Sequence, residues 1–137
     1  MAQLAPYMAF NGNCKEAMTY YKDVLGGELT LMTVGDSQMA AQSPKESLNM
    51  IMHSVLAKDG LTLMASDSMG HPVTPGNNVK LCLVCKSKQE IETFYSKLSA
   101  GGKTIYPLKE EFFGTFGECT DKFGVDWMFQ FSTAPNP

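Results

Sequence analysis

Two segments decide the fold: EAMTYYKDVLGG, Glu16–Gly27, and EIETFYSKLSAGG, Glu90–Gly102. Each begins with Glu, continues through Thr to two adjacent aromatic residues, and closes on Gly-Gly. Ala17, Tyr20, Tyr21, Val24 and Leu25 recur near a 3.6-residue spacing, as do Ile91, Phe94, Tyr95 and Leu98, which predicts two amphipathic helices. Glycine tolerates positive φ, so Gly26-Gly27 and Gly101-Gly102 read as helix stops. Asn13 and Ser87 stand where N-caps belong.

Strand-like runs flank each helix in the same order. APYMAF precedes the first, and ELTLMTV, LNMIMHSVLA and LTLMAS follow it. VKLCLVC precedes the second, and KTIYPL, FGTFGECT and VDWMFQF follow it. Even the last strands match, Gly60 leading to Met64 as Gly124 leads to Met128. The chain is therefore read as an internal duplication of βαβββ modules, in an α+β fold. A single domain over residues 1–137 is expected, with module 1 at about 5–67, a Gly/Pro/Asn-rich linker at about 68–77 and module 2 at about 78–132. One helix covers only one face of a four-stranded sheet. Pairing two such sheets gives an incomplete barrel, with helices outside and a cleft within, a common place for a ligand.

Composition narrows the function. Charged residues are 18% of the chain and the net charge is −3, so no basic face is available for nucleic acid. No apolar run is long enough to span a bilayer. The opening MAQLAPYMAF lacks the basic and apolar regions of a signal peptide, and a cytoplasmic location is expected. Cys82 and Cys85 form a C-x-x-C inside a strand-like run. Residues three apart on a strand point to opposite faces, so two buried, reduced thiols are expected rather than a metal grip.

Together, PYMAFNGNCKEAMTYYKDVLGGEL, MHSVL, LTLMASD and DKFGVDWM resemble the PhnB-like branch of the vicinal oxygen chelate superfamily. Glyoxalase I, extradiol dioxygenases and bleomycin-resistance proteins belong to that superfamily. The resemblance implies a homodimer and a ligand cleft. In metal-using members each half supplies two ligands, one on its first strand and one on its last. The matching positions here are Pro6 and Met64, then Asn78 or Val79 and Met128. None is the hard nitrogen or oxygen donor such a site requires, and Tyr7, Leu63 and Trp127 beside them do not restore a set. No metal at that place and no cofactor are expected. Some chains of similar sequence carry a demethylubiquinone methyltransferase label, yet no Gly-rich strand-to-helix turn suited to S-adenosylmethionine is found.

Alternation on the last strands assigns Trp127 and Phe129 to the core. The same alternation turns Met128 and Gln130, with Thr62, Met64 and Ser66, toward the cleft. Met8, Phe10, Phe112 and Phe113 complete the expected lining, the last two in a long aromatic loop, YPLKEEFFGTFG. His53 interrupts an apolar strand, and imidazole is the side chain suited to acid–base work near neutral pH. With Asp67 at the end of LTLMASD it forms the candidate catalytic pair. His71 reads as an exposed loop residue, and the segment Thr33–Ser47 as a polar connection with Met39 its only large apolar residue. The leading expectation is metal-free binding of a small organic molecule. The alternatives are a metal-dependent glyoxalase- or dioxygenase-type enzyme, a metal-free enzyme using His53 and Asp67, and a structural or regulatory dimer module.

Overall fold

The computed structural model describes residues 2–133, so Met1 and residues 134–137 of the expected domain lie outside it. The elements run β1 (Tyr7–Phe10), α1 (Cys14–Leu25), β2 (Glu28–Thr33), β3 (Ile51–Lys58), β4 (Leu61–Asp67), β5 (Leu81–Val84), α2 (Lys88–Ser99), β6 (Lys103–Glu111), β7 (Gly114–Thr120) and β8 (Asp126–Phe131). The chain divides into two compact units, Met1–Thr74 and Pro75–Pro137. Each unit is one βαβββ module.

In the first unit the sheet order is β1-β4-β3-β2, and in the second β5-β8-β7-β6. The first strand of each unit pairs in parallel with its last, and the remaining pairs are antiparallel. A parallel neighbour needs a long crossover, and the helix with the two strands after it supplies one.

Each helix packs on one face of its own sheet. Ala17, Met18 and Tyr21 of α1 are fully buried, as are Leu56 of β3 and Ala65 of β4. In the second unit Ile91 and Leu98 of α2 are buried with Trp127 and Phe129 of β8, and Tyr95 meets Phe129 edge-on at 5.2 Å between centroids. Trp127 therefore belongs to the core. Its indole N–H donates to Asp121 Oδ2 at 2.8 Å. Asp121 Oδ1 accepts from the backbone N–H groups of Phe123 and Val125, fixing the turn into β8.

The two helix starts are built differently. Ser87 Oγ accepts from the N–H of Glu90 at 3.0 Å, and Glu90 Oε1 accepts from Lys86 N–H. Asn13 occupies the cap position of α1, but its side chain makes no cap bond. Asp67, at the end of β4, takes that role: its Oδ1 accepts from Cys14 N–H at 2.9 Å and its Oδ2 from Ile51 N–H at 2.8 Å. One carboxylate thus ties the start of α1 and the start of β3 to β4. At the other helix ends Gly26 and Gly101 have φ of +79° and +76°.

Two connections differ from the sequence reading. The aromatic segment is no long loop: β6 runs to Glu111 and β7 starts at Gly114, leaving Phe112-Phe113 as a two-residue turn. Gly114, at φ +131°, allows it, because a Cβ there would sit 2.3 Å from the Phe131 carbonyl oxygen. The polar segment after β2 is ordered by local bonds. Val34 is its buried anchor, with Val34 N–H and Gly35 N–H donating to Met50 and Leu48 carbonyls. Short 3-10 turns follow at Ala40–Gln42 and Lys45–Ser47.

Replacing Asp67 by Asn leaves a buried N–H facing an amide NH2, a loss of about 1–3 kcal/mol for an unsatisfied buried group. Urea unfolding of Asp67→Asn should show a lower midpoint at unchanged slope. Ser87→Ala should cost about 1 kcal/mol as a lost cap, whereas Asn13→Ala should stay within about 0.5 kcal/mol. Equal losses at the two cap positions in the same unfolding assay would refute this account of the helix starts.

Candidate functional site

The face of each sheet away from its helix is where side chains are left for a ligand. In β4, Leu63, Ala65 and Asp67 are buried on the helix side, and Thr62, Met64 and Ser66 are half-buried on the other. The register carries this phase to the neighbouring strands. Tyr7 is the partner of Met64 and Ala9 of Ser66, so these share the helix-free face. On β3, Val55 pairs with Met64, and His53, two residues before it, lies on the same side.

Tyr7 and His53 meet on that face. Tyr7 Oη lies 3.1 Å from His53 Nδ1, the phenol reaching across β4 from β1 to β3. The rings are nearly parallel, at 24° with centroids 5.8 Å apart. The hydrogen bond couples the roles of the two imidazole nitrogens: an Nδ1 that accepts leaves the proton on Nε2, and an Nδ1 that donates leaves neutral Nε2 an acceptor. Met32 is the cross-strand partner of His53. It lines a cavity of about 560 Å³ with Met39 and Met52 and with the polar Asp36, Ser37, Gln38 and Gln42. A polar pair thus stands beside a methionine-lined hollow within one unit.

Several expected site residues are placed elsewhere. Asp67 does not meet His53: it lies on the helix side, is 5% exposed, and has both carboxylate oxygens engaged by backbone N–H groups. Phe10 is the partner of Asp67 and is 4% exposed, so it is a core residue under α1. Met8 pairs with Ala65 and shares that side. The physical reason is strand phase. Phe10 takes the core, and Tyr7 and Ala9 must then face the other way. Tyr7 was missed because the helix anchors aligned Pro6 with the ligand position; counting back in steps of two from a buried Phe10 excludes Tyr7 from the core face.

In the second unit Cys82 is the partner of Met128 and Val84 of Gln130 on the helix-free face. Glu118 stands beside Met128, and Phe116 beside Gln130, on β7. Rings continue from there: Tyr106 and Phe113 both meet Phe116 near edge-on, and Phe112 meets Phe113 at 90°. Phe112 is fully exposed at the turn. Cys82 is exposed and Cys85 buried, so the C-x-x-C thiols do not converge. Burial is the main cause pushing the Cys85 and Cys119 thiols up to about 12 and Cys14 up to about 11. All three stay protonated at neutral pH.

The register refines the metal question. Opposite Met64 stands Tyr7, and opposite Met128 stands Cys82. A phenol, a thiol and two thioethers do not fit a hard divalent ion, which takes carboxylate, carbonyl and imidazole donors. Among the described residues no three His, Cys, Asp or Glu side chains are grouped to hold a metal. Among those residues, too, no helix is long and apolar enough to cross a membrane.

The chain is similar to known proteins in sequence and in fold. Protein YjdN of Escherichia coli (strain K12) is 33% identical over 135 residues, covering 91% of this chain and 92% of its own. Protein PA1353 from Pseudomonas aeruginosa has a crystal structure that superposes at a TM-score of 0.87, with 36% identity, over 96% of this chain and 98% of its own. A PhnB protein from Bacillus cereus superposes at 0.77, with 25% identity, over 96% and 100%. Structures of the glyoxalase/bleomycin resistance/dioxygenase group share the fold at lower identity. The pattern described as 3-demethylubiquinone-9 3-methyltransferase matches residues 2–130. The chain belongs to that family, and it shares its fold with the glyoxalase-group structures.

Proposed function

We propose that the protein binds a small organic molecule against the helix-free faces of its sheets, as a homodimer and without a divalent metal at the superfamily's usual place. The observation that supports this is the Tyr7–His53 pair beside the cavity lined by Met32, Met39 and Met52. Ligand sites combine an apolar lining with a few convergent polar groups. Methionine suits such a lining because its flexible, polarisable thioether adapts to irregular apolar shapes. The fold is carried over from the family, and the methyl transfer in its description is not.

The same pair favours a second reading, a metal-free acid–base enzyme. In it His53 exchanges the proton and Tyr7, in place of Asp67, orients the ring.

Both readings are tested with chelator-treated protein. A broad metabolite and antibiotic library screened by thermal shift should contain at least one compound that raises Tm. At a hundredfold excess over Kd the stabilisation is about 2.7 kcal/mol. Tyr7→Phe should then weaken that compound roughly 2- to 10-fold, the worth of one hydrogen bond, and His53→Ala at least as much. A library without a single stabilising compound would overturn binding. So would stoichiometric Ni, Zn, Mn or Fe held in the native protein through Met64 or Met128. Turnover of a 3-demethylubiquinone analogue with S-adenosylmethionine that survives His53→Ala would replace both readings.

A further inference from the structure

One row on the helix-free face of the second sheet is charged from edge to edge. It runs from Lys80, the residue before β5's first strand position but one side-chain step from Cys82, through Asp126 on β8 and Thr120 on β7 to Lys103 on β6. Thr120 is the registered partner of both Asp126 and Lys103. Its hydroxyl donates to Asp126 Oδ1 at 2.6 Å. Lys80 Nζ lies 3.2 Å from Glu118 Oε1 and 3.9 Å from Asp126 Oδ2. These four residues, with Asn77 and Gly124, line a cavity of about 560 Å³ that lies wholly within the second unit.

The charges in this row are unequal in their partners. The Lys80 ammonium is shared between two carboxylates, and Asp126, only 9% exposed, is held by Thr120 and Lys80. Lys103 has no ion pair with a described residue, although it lines the same cavity. The lining carries two ammonium groups and one carboxylate, and Glu118 on Lys80 balances the sum, so Lys103 is the ammonium there that no carboxylate of a described residue pairs with. Lys103 is exposed, and its ammonium can hold an oxyanion through a charge-assisted hydrogen bond. The neighbouring Asp126 and Glu118 carboxylates repel a dianion and tolerate a monoanion.

We infer that this cavity is a seat for the carboxylate of a small organic monoanion, with Lys103 as its ion-pair partner and Lys80 held beside it by Glu118 and Asp126. The next row inward, Cys82, Met128 and Glu118, leads toward Phe116 and the aromatic turn. The ligand's apolar body follows that direction. This seat is a separate site from the Tyr7–His53 pair of the first unit, and it rests on the binding function proposed above only for the ligand being a small organic molecule.

The test is a matched series of probes added to the ¹⁵N-labelled full chain at fixed ionic strength: phenylacetate, phenylacetamide, phenethylamine and inorganic phosphate. Phenylacetate should shift the backbone amide signals of Asn77, Lys103 and Thr120 saturably. Phenylacetamide should bind about tenfold or more weakly, since a charge-assisted bond is lost, and phenethylamine and phosphate should bind less still. Lys103→Met should reduce phenylacetate affinity about tenfold or more, and Lys103→Arg should recover most of it. Lys22→Met, exposed on α1 of the first unit, should change nothing. Equal binding of the probes, tighter binding of phosphate, shifts that map elsewhere, or full affinity in Lys103→Met would each overturn the carboxylate seat. A neutral library compound whose binding survives Lys103→Met would leave the proposed binding function standing and remove only this inference.

Discussion

The Asp67 carboxylate holds the first unit in phase. Its two oxygens accept N–H groups from Cys14 and Ile51, the first residues of α1 and β3. Those donors belong to segments far apart in sequence, and a buried N–H left without a partner costs about 1–3 kcal/mol. Satisfying both from the last residue of β4 sets where the helix starts relative to the sheet. Because side chains alternate along a strand, fixing Asp67 inward also fixes Ser66, Met64 and Thr62 outward. The Tyr7–His53 pair exists on the outer face as a consequence. A residue that sequence reasoning paired with His53 as a catalyst instead determines, from the opposite face, that His53 is presented at all.

The second unit reaches the same topology by a different device. Ser87 caps α2 locally, so no strand residue is needed for that purpose. The carboxylate that organises its backbone is Asp121, which gathers two turn N–H groups and the Trp127 indole N–H. Asp67 organises a helix start, whereas Asp121 organises the entry to β8. Both carboxylates fix the phase of the strand that carries the matching methionine, Met64 in one unit and Met128 in the other. Duplication kept the frame and allowed the polar fastenings to diverge.

This explains which parts of the structure were legible in the sequence. The helices, their Gly-Gly stops, the order of strands and the core role of Trp127 depend on local propensity and periodicity, which a single chain displays openly. Ser87 as a cap is local as well. The Asp67 cap is not, because its partners lie 53 and 16 residues away. Asn13 looked sufficient at the same place. Strand phase failed at β1 for a related reason: four residues offer little alternation to count, so Met8 and Phe10 were assigned to the wrong face. The aromatic turn was misread because Phe-Phe is not turn-like. It is Gly114, with its positive φ and the Phe131 carbonyl against it, that makes the turn tight.

The duplicated positions also show where recognition diverges. Around Met64 the neighbours are Tyr7 and Val55, and Tyr7 carries a directional hydrogen bond to His53. Around Met128 they are Cys82 and Glu118, with Lys80 anchored alongside. A hard metal ion would require the same class of donor from both units, and the two methionines provide the same class of non-donor. What differs between the units is charge. The divergence of the donors around an unchanged pair of thioethers therefore gives each unit its own surface chemistry, directional hydrogen bonding in one and charge in the other.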